Sequence, residues 1–399
     1  MKKIAFITPS IFTFGGEQRV VSMIASELTK EYDVTIYTTD RLTDKDKCPF
    51  HLSDMLHIKH FLNKTGRLDW NLRRIILVLN RKTGCFNTER MAQFMCDMYY
   101  PPKKREELIK DINENQYDVV IGVSGYNSIL LGLIADRIKA KTVGWQHNSY
   151  EAYFETPGLY YWNQYYMFAT TVRKLDRCFV LNSYISDKYK EHFDVDCDVF
   201  YNPRSFQSDK KAVLTAPLFV ACGEFNYRKG FDYLIESYHR YKQKVLASSE
   251  TQLWKLMMLG DGKTRPEIEE KISEYGLQED IILKGNVNCV QEYMLDASCF
   301  VLSSRWEGFP MVGTEALEIG LPIVSFDITA MSPLVTDGVE GLLVEAYDCD
   351  AFADAMLKIS SDSEQRHKMG LNAIEKSKEF SMNLIKEQWL NTLQMIIEE

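Results

Sequence analysis

Glu307 and Glu315 bracket the segment Arg305-Trp306-Glu307-Gly308-Phe309-Pro310-Met311-Val312-Gly313-Thr314-Glu315. The apolar run Cys299–Ser304 before it reads as a strand, and a helix opens after it and runs to Gly320. Gly308 permits a tight turn and close backbone approach, while Pro310 near the helix start fixes φ where no N–H partner is lost. The free N–H groups that follow, about Met311, Val312 and Gly313, form an anion site suited to a diphosphate. Glu307 lies in the loop and Glu315 in the first turns, so one carboxylate can face a sugar and the other accept hydrogen bonds from ribose hydroxyls. Taken singly, Glu307 reads more simply as a surface loop acid and Glu315 as a charge near a helix N-terminus. Upstream, Arg228 and Lys229 in Gly223-Glu224-Phe225-Asn226-Tyr227-Arg228-Lys229-Gly230 supply cations that neutralise charge on a departing diphosphate, in place of a metal ion. A plain Lys-Gly helix start is the alternative.

The elements that position these residues are short apolar runs alternating with helical stretches. Candidate strands are Lys3–Thr8, Val34–Thr39, Asp118–Ser124, Thr142–His147 and Cys178–Asn182, then Leu218–Gly223, Trp254–Gly260, Ile281–Gly285, Cys299–Ser304, Pro322–Asp327 and Leu342–Glu345. Several are apolar on both faces, as in parallel sheets covered by helices, so the pattern predicts a doubly wound α/β architecture. It breaks once, between Pro203 and Pro217, where a polar stretch precedes a new strand. Two Rossmann-like domains follow, residues 1–203 with a C-terminal helix 381–399, and residues 204–380. Ligands of such sheets bind outside the carboxyl ends of the strands, so the expectation is a cleft between facing domains. His147, at the end of the strand around Lys141–Gln146, lies at such an edge. The run Tyr150, Tyr153, Phe154, Tyr160, Tyr161, Trp162, Tyr165, Tyr166 after it reads either as a platform for sugar rings or as helix packing.

With these residues in place the sequence resembles the retaining glycosyltransferases of family 4, which have the GT-B fold. Their hallmark, a Glu-x7-Glu pair around a Gly-Phe-Pro turn, is matched by Glu307 and Glu315. Gly15-Gly16-Glu17-Gln18-Arg19 is similar to the family's N-terminal Gly-Gly loop, and the 223–230 segment stands where its basic diphosphate-binding stretch lies. Gly260-Asp261-Gly262, Leu283-Lys284-Gly285-Asn286 and Asp337-Gly338-Val339-Glu340-Gly341-Leu342-Leu343-Val344 follow in order, and Phe380-Ser381 with Trp389 resembles the helix that crosses back to the first domain. The resemblance implies a nucleotide-sugar donor and a glycan or lipid-linked acceptor, and a basic window between Asn63 and Arg105 with the bacterial-looking pattern of the whole favours UDP-sugars and cell-surface polysaccharide assembly. It also implies retention of anomeric configuration and no metal or other cofactor. It makes residues 1–203 the acceptor-binding domain and residues 204–380 the nucleotide-sugar donor-binding domain, and places His147, Glu307, Lys229 and Arg228 at the reacting centre. Gly15, Gly16, Glu224, Asn286, Gly308, Phe309, Pro310, Met311, Val312 and Glu315 would lie along the donor. Gly223-Glu224 departs from the family's usual Gly-Arg, removing one expected cation.

Composition narrows the rest. Net charge is −9 and the pI is about 5.5, which disfavours nucleic acid as a partner. Met1-Lys2-Lys3 runs straight into the first strand, too short for a signal or a spanning helix, and nine scattered cysteines lack a Cys-x-x-Cys pair. Both point to the cytoplasm. One window is basic: between Asn63 and Arg105 stand ten cations (Lys64, Arg67, Arg73, Arg74, Arg81, Lys82, Arg90, Lys103, Lys104, Arg105) against Asp69, Glu89 and Asp97. With Trp70, Ile75–Leu79 and Tyr99-Tyr100 beside them, this window suits an anionic membrane face or a lipid-diphosphate, or is an ordinary solvated helix pair. Asp194-Val195-Asp196 and Asp348-Cys349-Asp350 match a metal–nucleotide pattern by chance, and neither a Gly-x-Gly-x-x-Gly after the first strand nor a P-loop is present. Two rival readings keep the fold: a non-catalytic scaffold of a transferase complex, and a sugar-nucleotide epimerase.

Overall fold

The computed structural model describes residues 1–40, 44–61, 67–248 and 252–399, the side chains of 67–70 and 72 excepted. The chain divides into two compact units, Met1–Asn202 with Asn383–Glu399, and Pro203–Met382.

The first unit holds a seven-stranded sheet in the order β3-β2-β1-β4-β5-β6-β7. Its strands are β1 (Lys3–Thr8), β2 (Asp33–Thr38), β3 (His57–His60), β4 (Val119–Val123), β5 (Lys141–Trp145), β6 (Arg177–Val180) and β7 (Asp198–Val199). All neighbours pair in parallel, with Ile4 opposite Val34 on one side of β1 and Val119 on the other. β4 is buried along its whole length, as a central strand covered on both faces requires. The helix Met382–Glu398 closes one face by burying Trp389 against Phe6, Trp145, Phe179 and Phe200, with the Trp145 and Trp389 ring centres 4.8 Å apart.

The second unit holds six parallel strands in the order β10-β9-β8-β11-β12-β13. These are β8 (Leu218–Cys222), β9 (Lys255–Leu259), β10 (Ile281–Gly285), β11 (Cys299–Leu302), β12 (Ile323–Phe326) and β13 (Gly341–Val344). The helix Met311–Ile319 links β11 to β12 and stops at Gly320, which is left-handed at φ 79 and satisfies its last carbonyls through the N–H groups of Gly320 and Leu321.

Two strands escape the sequence pattern. β3, His-Ile-Lys-His, and β7, two residues long, are sheet edges with exposed or half-buried side chains, so neither carries an apolar signal. β5 ends at Trp145, so His147 lies two residues beyond the strand rather than at its last position.

Candidate active site

The strongest cluster is in the second unit, where residues 226–230 lie against residues 303–307. The Arg305 N–H donates to the Arg228 carbonyl at 2.7 Å, and the Ser303 hydroxyl to the Lys229 carbonyl at 3.2 Å. Asn226 caps the turn Tyr227–Lys229, its side-chain oxygen accepting from the Lys229 N–H at 3.2 Å. Gly230 ends that turn at φ 63, and a Cβ there would stand 2.1 Å from the Ser303 carbonyl oxygen, so only glycine allows the approach. A Cβ on Gly223 would stand 2.8 Å from Cε of Lys229, so this glycine clears the path of the lysine stem.

That packing delivers two cations to one buried carboxylate. Lys229 Nζ donates to Glu307 Oε1 at 2.6 Å, Arg228 Nη1 to Glu307 Oε2, and the Ser304 hydroxyl to Oε1 at 2.8 Å. Burial opposes the charge on Glu307, but Lys229 and Arg228, with the hydrogen bonds of Lys229 and Ser304, outweigh it and hold the carboxyl below its ordinary value. Glu307 is therefore ionised at neutral pH. Arg305 is not part of the cluster; it forks onto Asp232 at 2.9 and 2.6 Å and stacks 3.8 Å over the Tyr227 ring.

Four residues beyond Glu307 the helix Met311–Ile319 begins with Pro310 as its N-cap and no side-chain cap, which leaves the N–H groups of Met311 and Val312 for an anion; the Gly313 N–H, expected to join them, donates instead to the Pro310 carbonyl at 2.8 Å. Phe309, Met311 and Glu315 are buried and Val312 is half-buried. Gly308 lies outside the left-handed region, and so does Gly15, extended at φ 176; neither needs glycine for its φ. Gly16 opens the helix Gly16–Leu28 in the first unit.

Two expected donor residues stand apart from the Glu307 cluster. Glu224 is exposed and accepts from its neighbour Asn226 at 3.0 Å, and Asn286 is exposed on the loop after β10.

In the first unit His147 is buried against Trp145, ring centres 4.3 Å apart, with Nε2 lacking a partner. Burial pushes its pKa down to about 3, so the imidazole is neutral. The aromatic run after it is largely helix packing: Tyr150, Tyr153 and Phe154 are buried, and Phe154 packs on Phe168 at 5.0 Å and Phe193 at 5.4 Å. Both Asp-x-Asp matches have local roles. Asp194 and Asp196 pair with Lys190, and Asp348 caps the helix Cys349–Ser361.

Sequence reasoning missed Ser304, Asn226, Gly223 and Gly230 as parts of this site. The Asn-x-x-Lys spacing is a capping signal, legible once the turn is known. Ser304 carries no comparable signal.

Residues 204–376 match the family model for glycosyl transferases group 1. Over 397 residues the chain is 24% identical to an uncharacterized glycosyltransferase of Haemophilus influenzae, covering 98% of this chain and 100% of that one. It is 25% identical over 404 residues to the GalNAc-alpha-(1->4)-GalNAc-alpha-(1->3)-diNAcBac-PP-undecaprenol alpha-1,4-N-acetyl-D-galactosaminyltransferase of Campylobacter jejuni, covering 98% of each. Among solved structures, sucrose-phosphate synthase from Thermosynechococcus elongatus aligns at TM-score 0.77 and 15% identity over 100% of both chains. Anabaena HepE in complex with UDP aligns at TM-score 0.73 and 14% identity over 99% of this chain and 100% of that one. The two parallel-sheet units and these matches define the chain as a GT-B glycosyltransferase. The group 1 match falls on the segment that carries Arg228, Lys229, Glu307 and Glu315.

Proposed function

We propose that this glycosyltransferase moves a hexose or N-acetylhexosamine from a UDP-sugar onto a glycan or lipid-linked acceptor in bacterial polysaccharide assembly, retaining the donor's anomeric configuration. The observation that carries this reading is the pair of cations locked to Glu307. Among the described residues Lys229 uses one of its three N–H donors, on Glu307, and Arg228 one of its five, so both offer donors to an incoming diphosphate. The uncapped first turn of Met311–Ile319 adds backbone N–H groups. Ionised Glu307 accepts hydrogen bonds from the 3- and 4-hydroxyls of the donor sugar, and Glu315 from the ribose. The acceptor oxygen bonds to the anomeric carbon from the face the diphosphate leaves. The bond from that carbon to the diphosphate oxygen breaks, and the acceptor proton passes to the departing diphosphate. Neutral His147 takes part by hydrogen bonding and not as a charged acid.

The cations and the helix N-terminus stand in for a metal ion, so transfer from labelled UDP-sugars continues in EDTA. Loss of turnover in EDTA with rescue by Mn²⁺ or Mg²⁺ overturns this. UDP binding without hydrolysis or transfer would make the chain a scaffold, and release of a 2-epimer without acceptor an epimerase. The Campylobacter relative is named for an undecaprenyl-diphosphate-linked acceptor, and TarM of S. aureus was solved with UDP, at TM-score 0.73 and 16% identity. Both support the donor and acceptor classes.

The membrane partner is part of the same proposal. In the helix Arg67–Thr83, Ile75, Val78 and Leu79 are 66%, 45% and 45% exposed at helical spacing, flanked by exposed Arg74, Arg81 and Lys82. No helix among the described residues is long and apolar enough to cross a membrane. The anchoring set differs from the sequence expectation. Tyr100 is core, its hydroxyl donating to the Tyr126 carbonyl at 2.8 Å, and burial lifts Tyr99 to about 12. Arg73 donates to the Asp97 carbonyl and Arg105 pairs with Asp97 at 2.6 Å, which leaves Arg74, Arg81, Lys82, Arg90 and Lys103 facing solvent. Lys64 and the side chains of Arg67 and Trp70 lie outside the described residues. Flotation with anionic liposomes at low salt tests this: Arg74→Glu/Arg81→Glu/Lys82→Glu loses binding, and equal flotation of variant and wild type overturns it.

A further inference from the structure

The turn that carries Arg228 and Lys229 is three residues long, and each of its carbonyls accepts a hydrogen bond from the segment after β11 that leads to Glu307. The Tyr227 carbonyl accepts from Nη1 of Arg305 at 2.6 Å, the Arg228 carbonyl from the Arg305 N–H at 2.7 Å, and the Lys229 carbonyl from the Ser303 hydroxyl at 3.2 Å. Two of the three bonds thus come from Arg305. Ordering the backbone of each residue costs about 1–2 kcal/mol, so a lone turn does not hold its shape unaided. These bonds, with the Asn226 cap, set where the two cations stand.

The Arg305 side chain is itself fixed on every side, with only 8% of it exposed. Its guanidinium forks onto both oxygens of Asp232, at 2.9 and 2.6 Å, in the first turn of the helix Phe231–Ala247. Its central carbon lies 3.8 Å from the Tyr227 ring centre and 4.5 Å from that of Tyr233. Both hydrogens of Nη1 are engaged, one on Tyr227 and one on Asp232, and the carboxylate offsets the charge. A lysine has one nitrogen and no plane, so it cannot serve the Tyr227 carbonyl and both Asp232 oxygens while lying between two rings. No hydrogen bond among the described residues joins this guanidinium to Glu307, whose cations are Arg228 and Lys229.

We propose that Arg305, fixed by Asp232, is a positioning residue for the donor's diphosphate. It holds the Tyr227–Lys229 turn so that Arg228 and Lys229 meet the diphosphate together, and it touches no part of the donor itself. The inference rests on the donor reading above, in which those two cations bind the diphosphate.

The test is a mutant cycle in the EDTA-treated full chain, with UDP and uridine titrated into each variant and transfer measured beside them. Arg305→Ala weakens UDP by about 10-fold, within the coupling expected inside one hydrogen-bond network, and leaves uridine within about twofold. Transfer kcat falls by about 10- to 100-fold, the effect of misplaced groups at the reacting centre. Arg305→Lys recovers little of either loss. Asp232→Asn, a change at a half-exposed carboxylate that keeps the arginine, weakens UDP about threefold in the same direction, and it carries the test if Arg305→Ala does not fold. In Arg228→Ala/Lys229→Ala, adding Arg305→Ala weakens UDP no further, because no cations remain to be placed. An equal loss in that background, UDP affinity kept by Arg305→Lys, or affinity raised by Asp232→Asn makes Arg305 a direct phosphate ligand and overturns the proposal. Equal losses of UDP and uridine reduce Arg305 to general support of the unit and overturn it as well. UDP affinity that Arg228→Ala/Lys229→Ala leaves intact removes the donor reading itself, and the inference with it.

Discussion

Glu307 and Glu318 stand eleven positions apart in the second unit, both buried and both held by two cations, yet their surroundings differ in one respect that matters. Glu318 pairs with Arg204 and with Lys211 at 2.9 Å, and also accepts from the Ser208 N–H at 2.9 Å and the Ser377 hydroxyl at 3.1 Å. Lys211 Nζ is saturated, reaching the Ser208 carbonyl, the Glu318 carbonyl and Glu318 Oε1 at 2.8, 2.6 and 2.9 Å. Lys229 at Glu307 makes one such bond. Burial opposes ionisation at both carboxyls, and in both the cations and hydrogen bonds prevail and pull the pKa down. A buried ion pair is thus weak evidence for a functional site. Donors left unused by the cations are what distinguish the pair suited to an anionic ligand from the pair that ties segments together.

The largest expected effect is structural. Glu318→Ala leaves Arg204 and Lys211 without their carboxylate and lowers folding stability by about 3–5 kcal/mol, read by denaturant unfolding, while UDP affinity of the folded fraction is unchanged. A UDP affinity that collapses with Glu318 erases the distinction. Next, Lys229→Ala lowers transfer about 10²–10³-fold by removing a cation aimed at the leaving diphosphate. A loss confined to stability with normal kcat makes Lys229 a second Lys211. Glu315→Ala weakens UDP binding by about 1–3 kcal/mol for a lost charged hydrogen bond, whereas Glu307→Ala lowers kcat more than it weakens UDP.

A pH series sharpens the structural half. Because the folded pKa of Glu318 is depressed, its charge stabilises the fold above the unfolded value of about 4.3 and ceases to do so as pH falls through the lower folded value. The stability gap between wild type and Glu318→Gln is therefore full at pH 7 and shrinks below about pH 4. A gap independent of pH contradicts the ion-pair account. The smallest effect belongs to Gly223→Ala: the new methyl group presses on the flexible Lys229 stem and sits on a backbone at φ 158 that side chains rarely adopt, so activity falls a few-fold and stability falls with it.

The sequence is most legible where neighbours in the chain are also neighbours in space. Apolar runs such as Ile4–Ile7 and Phe300–Leu302 announce central strands because both faces are covered, and the Glu307 loop and the Arg228-Lys229 turn each read as local motifs. Edge strands β3 and β7 lack that signal. Which cations meet Glu307 is set by Gly230 against Ser303, a contact across 73 positions; Arg305, nearer in sequence, goes to Asp232 instead. Glu224 shares a segment with Lys229 yet is exposed and bonds to Asn226, the residue whose side chain caps the Lys229 turn. Glu17 with Ser124, and Glu318 with Arg204, join residues more than a hundred positions apart and leave no trace in local pattern.

The central claim is that Lys229 and Arg228, poised on Glu307, hold the donor's diphosphate without a metal. Calorimetric titration of UDP, with uridine as control, into EDTA-treated wild type, Arg228→Ala and Lys229→Ala tests it most directly. Wild type binds UDP in EDTA, each variant loses about 10-fold or more of that affinity, and uridine binding is the same in all three. UDP affinity unaltered by both substitutions, or present in wild type with Mn²⁺ or Mg²⁺ alone, contradicts it.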